Sequence, residues 1–468
     1  MEKNQLIDYF NKIASERDKW KRRNKYYHRD IEKLLNFLVP EDSSMLEIGC
    51  GTGDILNCLK SEKKIGIDIS PQMVAVAKKK YPGLEIEVMD VENLTLERKY
   101  DYIVLSGVIG SLLDIQKAFQ ELHKVSHQKT RIIITYYNQL WEPILKLAEK
   151  LHLKMSQPWQ NWVSSADLEN FLSLSGFEII KRGKRLLLPK YIPILSMIFN
   201  RYLAKLPIFQ EFCLVYYTIA RPQPKPVEAK PVVSIIVPAR NEAGSLEPLI
   251  QRTPSLGSHT EIIFIEGHSE DNTLKEAKRV KERHPNKDIK IFVQDGTGKG
   301  DAVRKGFDAA RGDILMILDA DLSVFPEDLS KFYQALIERS GELINGCRLV
   351  YPLERESMRL LNLFGNRFFS EMFSWLLDQR IKDTLCGTKV LWKEDYQKIK
   401  VGREFFGDFD PFGDFDLLFG AAKLNLKIID LPIRYHPRTY GKTNISRFRH
   451  GWLLTKMCIF AMRKIKFI

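Results

Sequence analysis

The sequence predicts two α/β domains, each built on a doubly wound sheet, and three observations lead there. The chain has 468 residues, more than one hydrophobic core accommodates. The stretch Arg221–Pro231, RPQPKPVEAKP, carries four prolines with polar spacers, a stiff extended composition that builds neither helix nor central strand. On each side of it short apolar runs alternate with helix-like ones, the signature of a parallel sheet covered by helices on both faces. The limits read from this pattern are 1–221, a linker 222–231, a second domain 232–450, and a basic amphipathic tail 451–468.

In the first half the expected strands are Met45–Ile48, Lys64–Asp68, Leu84–Met89, Tyr100–Leu105 and Arg131–Tyr136, then Phe177–Leu187 and Phe212–Ala220. The amphipathic segment Tyr26–Phe37 precedes them as a covering helix. In the second half the strands are Val232–Val237, Glu261–Ile265, Ile289–Val293, Asp313–Leu318 and Leu343–Asn345. Asp301–Ala310 and Pro326–Glu338 read as helices between them.

Hydrophobic residues make up 44% and charged residues 28%, which excludes a disordered chain. The net charge of +13 admits nucleic acid, an anionic membrane or phosphorylated substrates. No DNA- or RNA-binding motif is visible, so nucleic acid is not an expected partner. The charge is concentrated at the end: no acid follows Asp430, whereas Arg434, Arg438, Lys442, Arg447, Arg449, Lys456, Arg463, Lys464 and Lys466 do. Six cysteines without a Cys-x-x-Cys pair argue against zinc and fit reduced thiols. The N-terminus lacks an apolar signal-peptide core, and no run approaches the roughly 20 apolar residues of a membrane span. The expected location is cytoplasmic, peripheral to the inner face of the membrane.

Leu46-Glu47-Ile48-Gly49-Cys50-Gly51-Thr52-Gly53 joins a strand to a helix. Glycines let the backbone turn tightly and approach a ligand. Alone, the pattern is common to many nucleotide sites. Here Glu47 precedes it, and the next strand ends in Asp68, placed to bind ribose hydroxyls, although a plain helix cap is its competing role. This region resembles the class I S-adenosylmethionine (SAM)-dependent methyltransferases, a Rossmann-like fold for which seven strands ending in an antiparallel hairpin are implied. The resemblance puts SAM against Glu47, Gly49, Gly51, Gly53 and Asp68, with Asp90 beside the adenine and Ser106 where the methyl-donor pocket closes. Tyr136, Tyr137 and Asn138 could reach an acceptor or simply pack.

The second half holds the run Ile314-Leu315-Met316-Ile317-Leu318 followed by Asp319-Ala320-Asp321. Two acids at the carboxyl end of a buried strand lie where open α/β sheets bind ligands. Such oxygens suit Mg²⁺ or Mn²⁺ held against a diphosphate. With Val237-Pro238-Ala239-Arg240-Asn241-Glu242, Ile265-Glu266-Gly267 and Gly298-Lys299-Gly300, this half resembles the family 2 GT-A glycosyltransferases, nearest the polyprenyl-phosphate mannosyl- and glucosyltransferases.

That resemblance implies a GDP- or UDP-sugar donor and a lipid-phosphate or glycan acceptor. It puts Pro238, Arg240, Glu242, Glu266 and Lys299 at the nucleotide, Asp319 and Asp321 at the metal, and Arg348, Arg438 and Lys442 at phosphates. Asp321 and Arg438 would serve catalysis directly, while Asp414 and Asp416 are either a base or helix-positioning groups; Asp408 and Asp410 are weaker candidates. Glu266-Gly267 stands where the family usually has paired aspartates. The expected function is a bifunctional transferase of surface-glycan or glycolipid synthesis. The alternative is a glycosyltransferase whose first half binds SAM or a partner without catalysis. The tail Trp452–Ile468 is read as lying in a membrane interface, or as a helix docked on the second domain.

Overall fold

The structure is a computed structural model that describes residues 2–157, 159–351, 360–405, 415–438, 440 and 447–467. The chain divides into two units, Met1–Pro224 with Phe467–Ile468, and Lys225–Lys466.

The first unit is built on seven strands: β1 (Ser44–Ile48), β2 (Lys63–Asp68), β3 (Glu85–Val88), β4 (Tyr100–Ser106), β5 (Ser126–Tyr137), β6 (Phe177–Arg185) and β7 (Val215–Pro222). Their order is β3-β2-β1-β4-β5-β7-β6. The first five pair in parallel, and β7 inserts antiparallel between β5 and β6. Met45, Leu46, Ile103, Val104, Ile132 and Ile133 are fully buried, as parallel strands covered on both faces must be. The chain reverses across the sheet beside β1, so β1 and β4 open a crevice at their carboxyl ends. β7 runs on through Arg221 and Pro222, where the proline-rich stretch suggested a linker. Pro222 ends the strand, where a missing N–H is tolerated, and Arg221 is anchored to Glu178 at 2.6 Å.

The helix Lys25–Leu38 covers the sheet as expected and buries Ile31, Leu34, Leu35 and Leu38. An N-terminal helix, Lys3–Arg23, precedes it and was not legible as one. It buries only Leu6 and Ala14, so its apolar stripe is thin. Charge holds it instead: Lys21 reaches Thr52 (2.9 Å) and Asp54 (2.6 Å), and Asp18 reaches Lys80 (2.7 Å) and Thr52 (2.7 Å).

The second unit also has seven strands: β8 (Val232–Ala239), β9 (His259–Glu266), β10 (Asp288–Val293), β11 (Ile314–Ile317), β12 (Leu343–Cys347), β13 (Lys389–Trp392) and β14 (Ile428–Pro432). The order is β10-β9-β8-β11-β13-β12-β14, with β13 antiparallel to both neighbours. β13 and β14 are the strands the sequence reading lacked. β13 has four residues and opens on the fully buried Lys389, whose ammonium donates to the Cys386 carbonyl (2.5 Å). β14 contains Asp430 and Pro432, and Pro432 is tolerated because β14 is an edge strand.

The helix Arg447–Ala461 belongs to the core of this unit. It buries Leu454, Met457, Cys458 and Ala461 and leaves Trp452, Lys456 and Ile459 outward, at i, i+4 and i+7, with Arg463 exposed in the turn Met462–Lys466 that follows. Lys466 turns inward to Asp378. Among the described residues no helix is long and apolar enough to cross a membrane.

Candidate functional sites

The first site sits at the carboxyl ends of β1, β2 and β4. After Ile48 the chain turns through Gly49 (φ +68°), Gly51 (+54°) and Gly53 (+78°), the left-handed region that side chains disfavour. At Gly49 space adds to the argument: a Cβ there would lie 2.5 Å from Val108 Cγ2. Asp68 closes β2 and braces the turn. Its Oδ2 accepts the Gly51 N–H (2.8 Å) and its Oδ1 the Ser70 N–H (2.9 Å). Burial raises its pKa, opposed by those two donors.

A cavity of about 830 Å³, including the solvent at its mouth, opens over this turn. Gly49, Gly51, Asp68, Asp90 and Ser106 line it together. Ser106 Oγ meets Thr135 Oγ1 at 3.0 Å. Asp90 caps the turn Val91–Asn93 through the Glu92 N–H (3.0 Å) and pairs with Lys3. Burial would raise the Asp90 pKa, but Lys3 and these donors hold it below its ordinary value. Lys3, Leu6, Phe10 and Arg17 of the N-terminal helix form the facing wall. The spacing of Leu6, Phe10 and Arg17 was the available signal, but it is thin among so many charges. Tyr136 and Asn138 are packed: the Tyr136 hydroxyl meets Ser165 (3.2 Å), and Asn138 donates to the Glu211 and Cys213 carbonyls. Tyr27 is partly buried on the covering helix, against Tyr137.

Glu47 lies beneath the turn, 1% exposed, with its Oε2 unpartnered. Burial pushes its carboxyl up to about 8, against the opposing pull of Lys21. A carboxyl raised from 4.5 to about 8 stabilises the fold below the lower value, and that stabilisation is lost as pH rises through the higher one. The wild-type protein is therefore expected to lose on the order of 4 kcal/mol at most between pH 4.5 and pH 8 through this group. Glu47→Gln should flatten that part of the pH dependence of the melting temperature. Identical pH profiles for the two proteins would remove Glu47 as the source.

The second site lies at the carboxyl ends of β8, β9 and β11. Two loops carry it. The Asn241 and Glu242 N–H groups donate to Ser269 Oγ (3.0 Å) and Thr273 Oγ1 (2.9 Å), and the Glu270 N–H donates to Asn241 Oδ1 (2.8 Å). Glu266, 5% exposed, accepts the Ser269 N–H at 2.6 Å. Pro238 is half-buried at the end of β8, and Arg240 is exposed at the rim.

Asp319 and Asp321 follow β11. Asp319 pairs with Lys299 at 2.6 Å. Burial alone would raise the Asp319 carboxyl, but Lys299, Arg348 and Lys389 hold it below its ordinary value. Asp321 Oδ1 accepts the Ser323 N–H (3.0 Å) and hydroxyl (2.6 Å). Its Oδ2 receives Arg438 (2.9 Å), whose other nitrogen reaches Glu242 (2.8 Å). The loop bearing Arg438 is seated by the His436 N–H on the Ser323 carbonyl (2.9 Å) and by the stacking of His436 on Phe325. Glu242 is raised to about 7, first by burial and then by Asp321, Asp319 and Asp271, with Arg438 opposing.

Gly387 is the site residue the sequence reading missed. A Cβ there would stand 2.2 Å from both Asp319 Oδ2 and Lys299 Nζ, so any side chain at this position would have to displace that ion pair. It lies in the segment leading into β13, an element sequence pattern did not reveal.

Two further candidates form ion pairs that involve neither Asp319 nor Asp321. Arg348 forms a two-pronged pair with the fully buried Asp383 (2.7 and 2.9 Å). Asp416 is buried against Arg403 at 2.7 Å. Asp408, Asp410, Asp414 and Lys442 lie outside the described residues. Among the described residues no group of three or more His, Cys, Asp or Glu is placed to hold a metal. Asp319 and Asp321 would supply two carboxylates, which suits Mg²⁺, an ion that completes its shell with phosphates and water.

The comparisons agree with this division. Residues 20–182 match the family described as Methyltransferase domain, and residues 234–399 match Glycosyl transferase family 2. The second half is similar to the dolichol-phosphate mannosyltransferase of Pyrococcus furiosus, 33% identical over 48% of this chain and 64% of that protein. It is also similar to glycosyltransferase AglJ of Haloferax volcanii, 27% identical over 47% of this chain and 69% of that protein. The first half is similar to the ubiquinone/menaquinone biosynthesis C-methyltransferase UbiE of Campylobacter jejuni, 32% identical over 28% of this chain and 61% of that protein. The chain spans between 37% and 69% of the length of the curated relatives it matches. It is a fusion of two enzyme families: a methyltransferase domain in its N-terminal half and a family 2 glycosyltransferase domain in its C-terminal half.

Proposed function

We propose that the chain is a bifunctional transferase of cell-surface glycan or glycolipid synthesis. Its second unit moves a sugar from a GDP- or UDP-sugar to a lipid-phosphate or glycan acceptor, and its first unit transfers a methyl group from SAM. The observation that carries the reading is the charge arrangement around Asp319 and Asp321. Each acid is matched by a cation, Lys299 and Arg438 respectively, at the carboxyl end of a buried strand. A donor diphosphate with Mg²⁺ or Mn²⁺ could exchange into this set, since the cations would turn to phosphate oxygens as the acids turn to the metal. The metal would neutralise charge on the departing nucleotide. For methyl transfer, the cavity over Gly49 and Asp68 has room for SAM, and alignment does most of the chemical work.

The acceptor would be met at the inner face of an anionic membrane. The outward Trp452, Lys456 and Ile459 of the last helix, with Arg463 just beyond it, mix bulky apolar and basic groups, as an interface favours. Deleting everything beyond Gly451 would take Leu454 and Met457 out of the core, so point substitutions on the outward face are the fair test of that helix.

A thermal-shift panel tests the reading directly. SAM should raise the first unit's transition, and one GDP- or UDP-sugar with Mn²⁺ or Mg²⁺ should raise the second's. Ligand at one hundred times its Kd contributes about 2.7 kcal/mol. No response to any such sugar with either metal would overturn the glycosyl-transfer half of the proposal.

A further inference from the structure

The connection from β6 to β7 is made of short helical pieces, Leu195–Met197, Ile198–Tyr202, Leu203–Lys205 and Pro207–Gln210. It turns bulky apolar side chains outward. Tyr191, Ile194 and Ile208 are 67%, 70% and 76% exposed, and Leu195, Met197 and Phe212 are exposed with them. Ile194 stands at φ +65°, a conformation costly for a β-branched residue, yet its side chain points into solvent. The patch continues onto the next element. Trp141 Nε1 donates to the Phe212 carbonyl (2.8 Å), the adjoining Leu140 is exposed, and the helix Glu142–Lys150 carries Ile144 and Leu147 outward. So many exposed bulky apolar side chains, gathered on one connection and the element bonded to it, mark an interaction site.

Charge says what covers it. No acid lies between Glu178 and Glu211 in the sequence. Lys190 and Arg201 are exposed beside the apolar groups, and Arg23 lies near enough to Lys190 to help depress its pKa. The acids at the margin are each matched by a lysine: Glu211 by Lys184, Glu142 by Lys146 and Glu149 by Lys154. The face is therefore apolar with a positive rim. The exposed groups come from several short pieces rather than one helical stripe, which fits a flat surface better than a groove.

We infer that this face of the methyltransferase unit docks on the surface of an anionic lipid bilayer. Its apolar side chains enter the headgroup region, and Lys190 and Arg201 meet lipid phosphates. The inference rests on the reading that the chain works at a membrane, but its test requires neither enzymatic activity.

The full chain is mixed with vesicles of pure phosphatidylcholine, or of equimolar phosphatidylcholine and phosphatidylglycerol, and sedimented. Wild-type protein should partition onto the anionic vesicles. The double variant Ile194→Glu, Ile208→Glu should partition at least about tenfold less, having lost two inserted side chains and gained two anions. Lys190→Ala with Arg201→Ala should lose several-fold on anionic vesicles and little on neutral ones. Unchanged SAM affinity confirms the fold, and Ile194→Trp, which keeps the position apolar, should gain quenching from brominated lipid tails. The inference is overturned if the Ile194/Ile208 variant binds like wild type; loss of binding by Trp452→Glu with Ile459→Glu would then assign the membrane contact to the last helix. It is equally overturned if no protein binds vesicles; conversion of a dimer to a monomer by the Ile194/Ile208 variant would then show that a second copy covers the face. Loss of vesicle binding with sugar transfer to a soluble acceptor retained would leave the proposed chemistry standing.

Discussion

Asp321→Asn is expected to lower sugar transfer by about 10²–10³-fold or more while SAM affinity stays unchanged. The substitution keeps the shape and the Ser323 hydrogen bonds but removes a charge. If Asp319 and Asp321 hold a metal as proposed, losing one carboxylate would halve the protein's anionic contribution to it. It also releases one end of Arg438, which bridges to Glu242 across 196 residues of sequence. Radiolabelled sugar transfer with and without EDTA reads the effect, and calorimetry with SAM reads the control. Full transfer by the variant, or transfer indifferent to EDTA, would rule out the metal role.

The second large effect is expected at Asp68. A carboxylate offers about four lone-pair positions, and two of those of Asp68 are taken by the Gly51 and Ser70 N–H groups. The remainder are available to ribose hydroxyls in the cavity that Asp68 lines. Asp68→Ala should weaken SAM binding by about 1.5–3 kcal/mol, roughly 10- to 150-fold, because a hydrogen bond to a charged group is removed. The variant also loses the brace on the glycine turn, so the larger figure is the better expectation. Calorimetry that finds wild-type affinity in a folded variant would sink the assignment. Glycosyl transfer should be unaffected.

Both expectations concern residues whose setting was legible from neighbouring residues alone. Asp68 and Asp321 each follow an apolar run, and a run of buried β-branched and aliphatic residues identifies a strand whose end is nearby. The glycine turn was equally local, since a positive φ at Gly49, Gly51 and Gly53 is a property of those residues and their flanks. β13 and β14 were not legible, because one opens on a lysine and the other carries an acid and a proline. Burial of Lys389 becomes affordable only once the Cys386 carbonyl is brought to it.

The partners of charged groups were illegible for a related reason. An arginine's sequence neighbours say that it is cationic, not which anion it will meet. Arg438 meets Asp321 and Glu242, whereas Arg348 is spent on Asp383 and Asp416 on Arg403. The N-terminal helix became a cavity wall through Lys21 and Asp18, contacts that no periodicity announces. The last helix shows the same limit. Its composition suggested an interface-bound tail, but Leu454, Met457 and Cys458 fill space left by the second sheet's covering helices. The sequence by itself determined two α/β units, the glycine turn and the paired aspartates, because strand burial and backbone dihedrals are encoded over a few residues. The tertiary structure alone decided which cations serve the sites, why Gly387 lies against the Asp319–Lys299 pair, and which apolar side chains remain outside, because those depend on atoms brought together from distant parts of the chain.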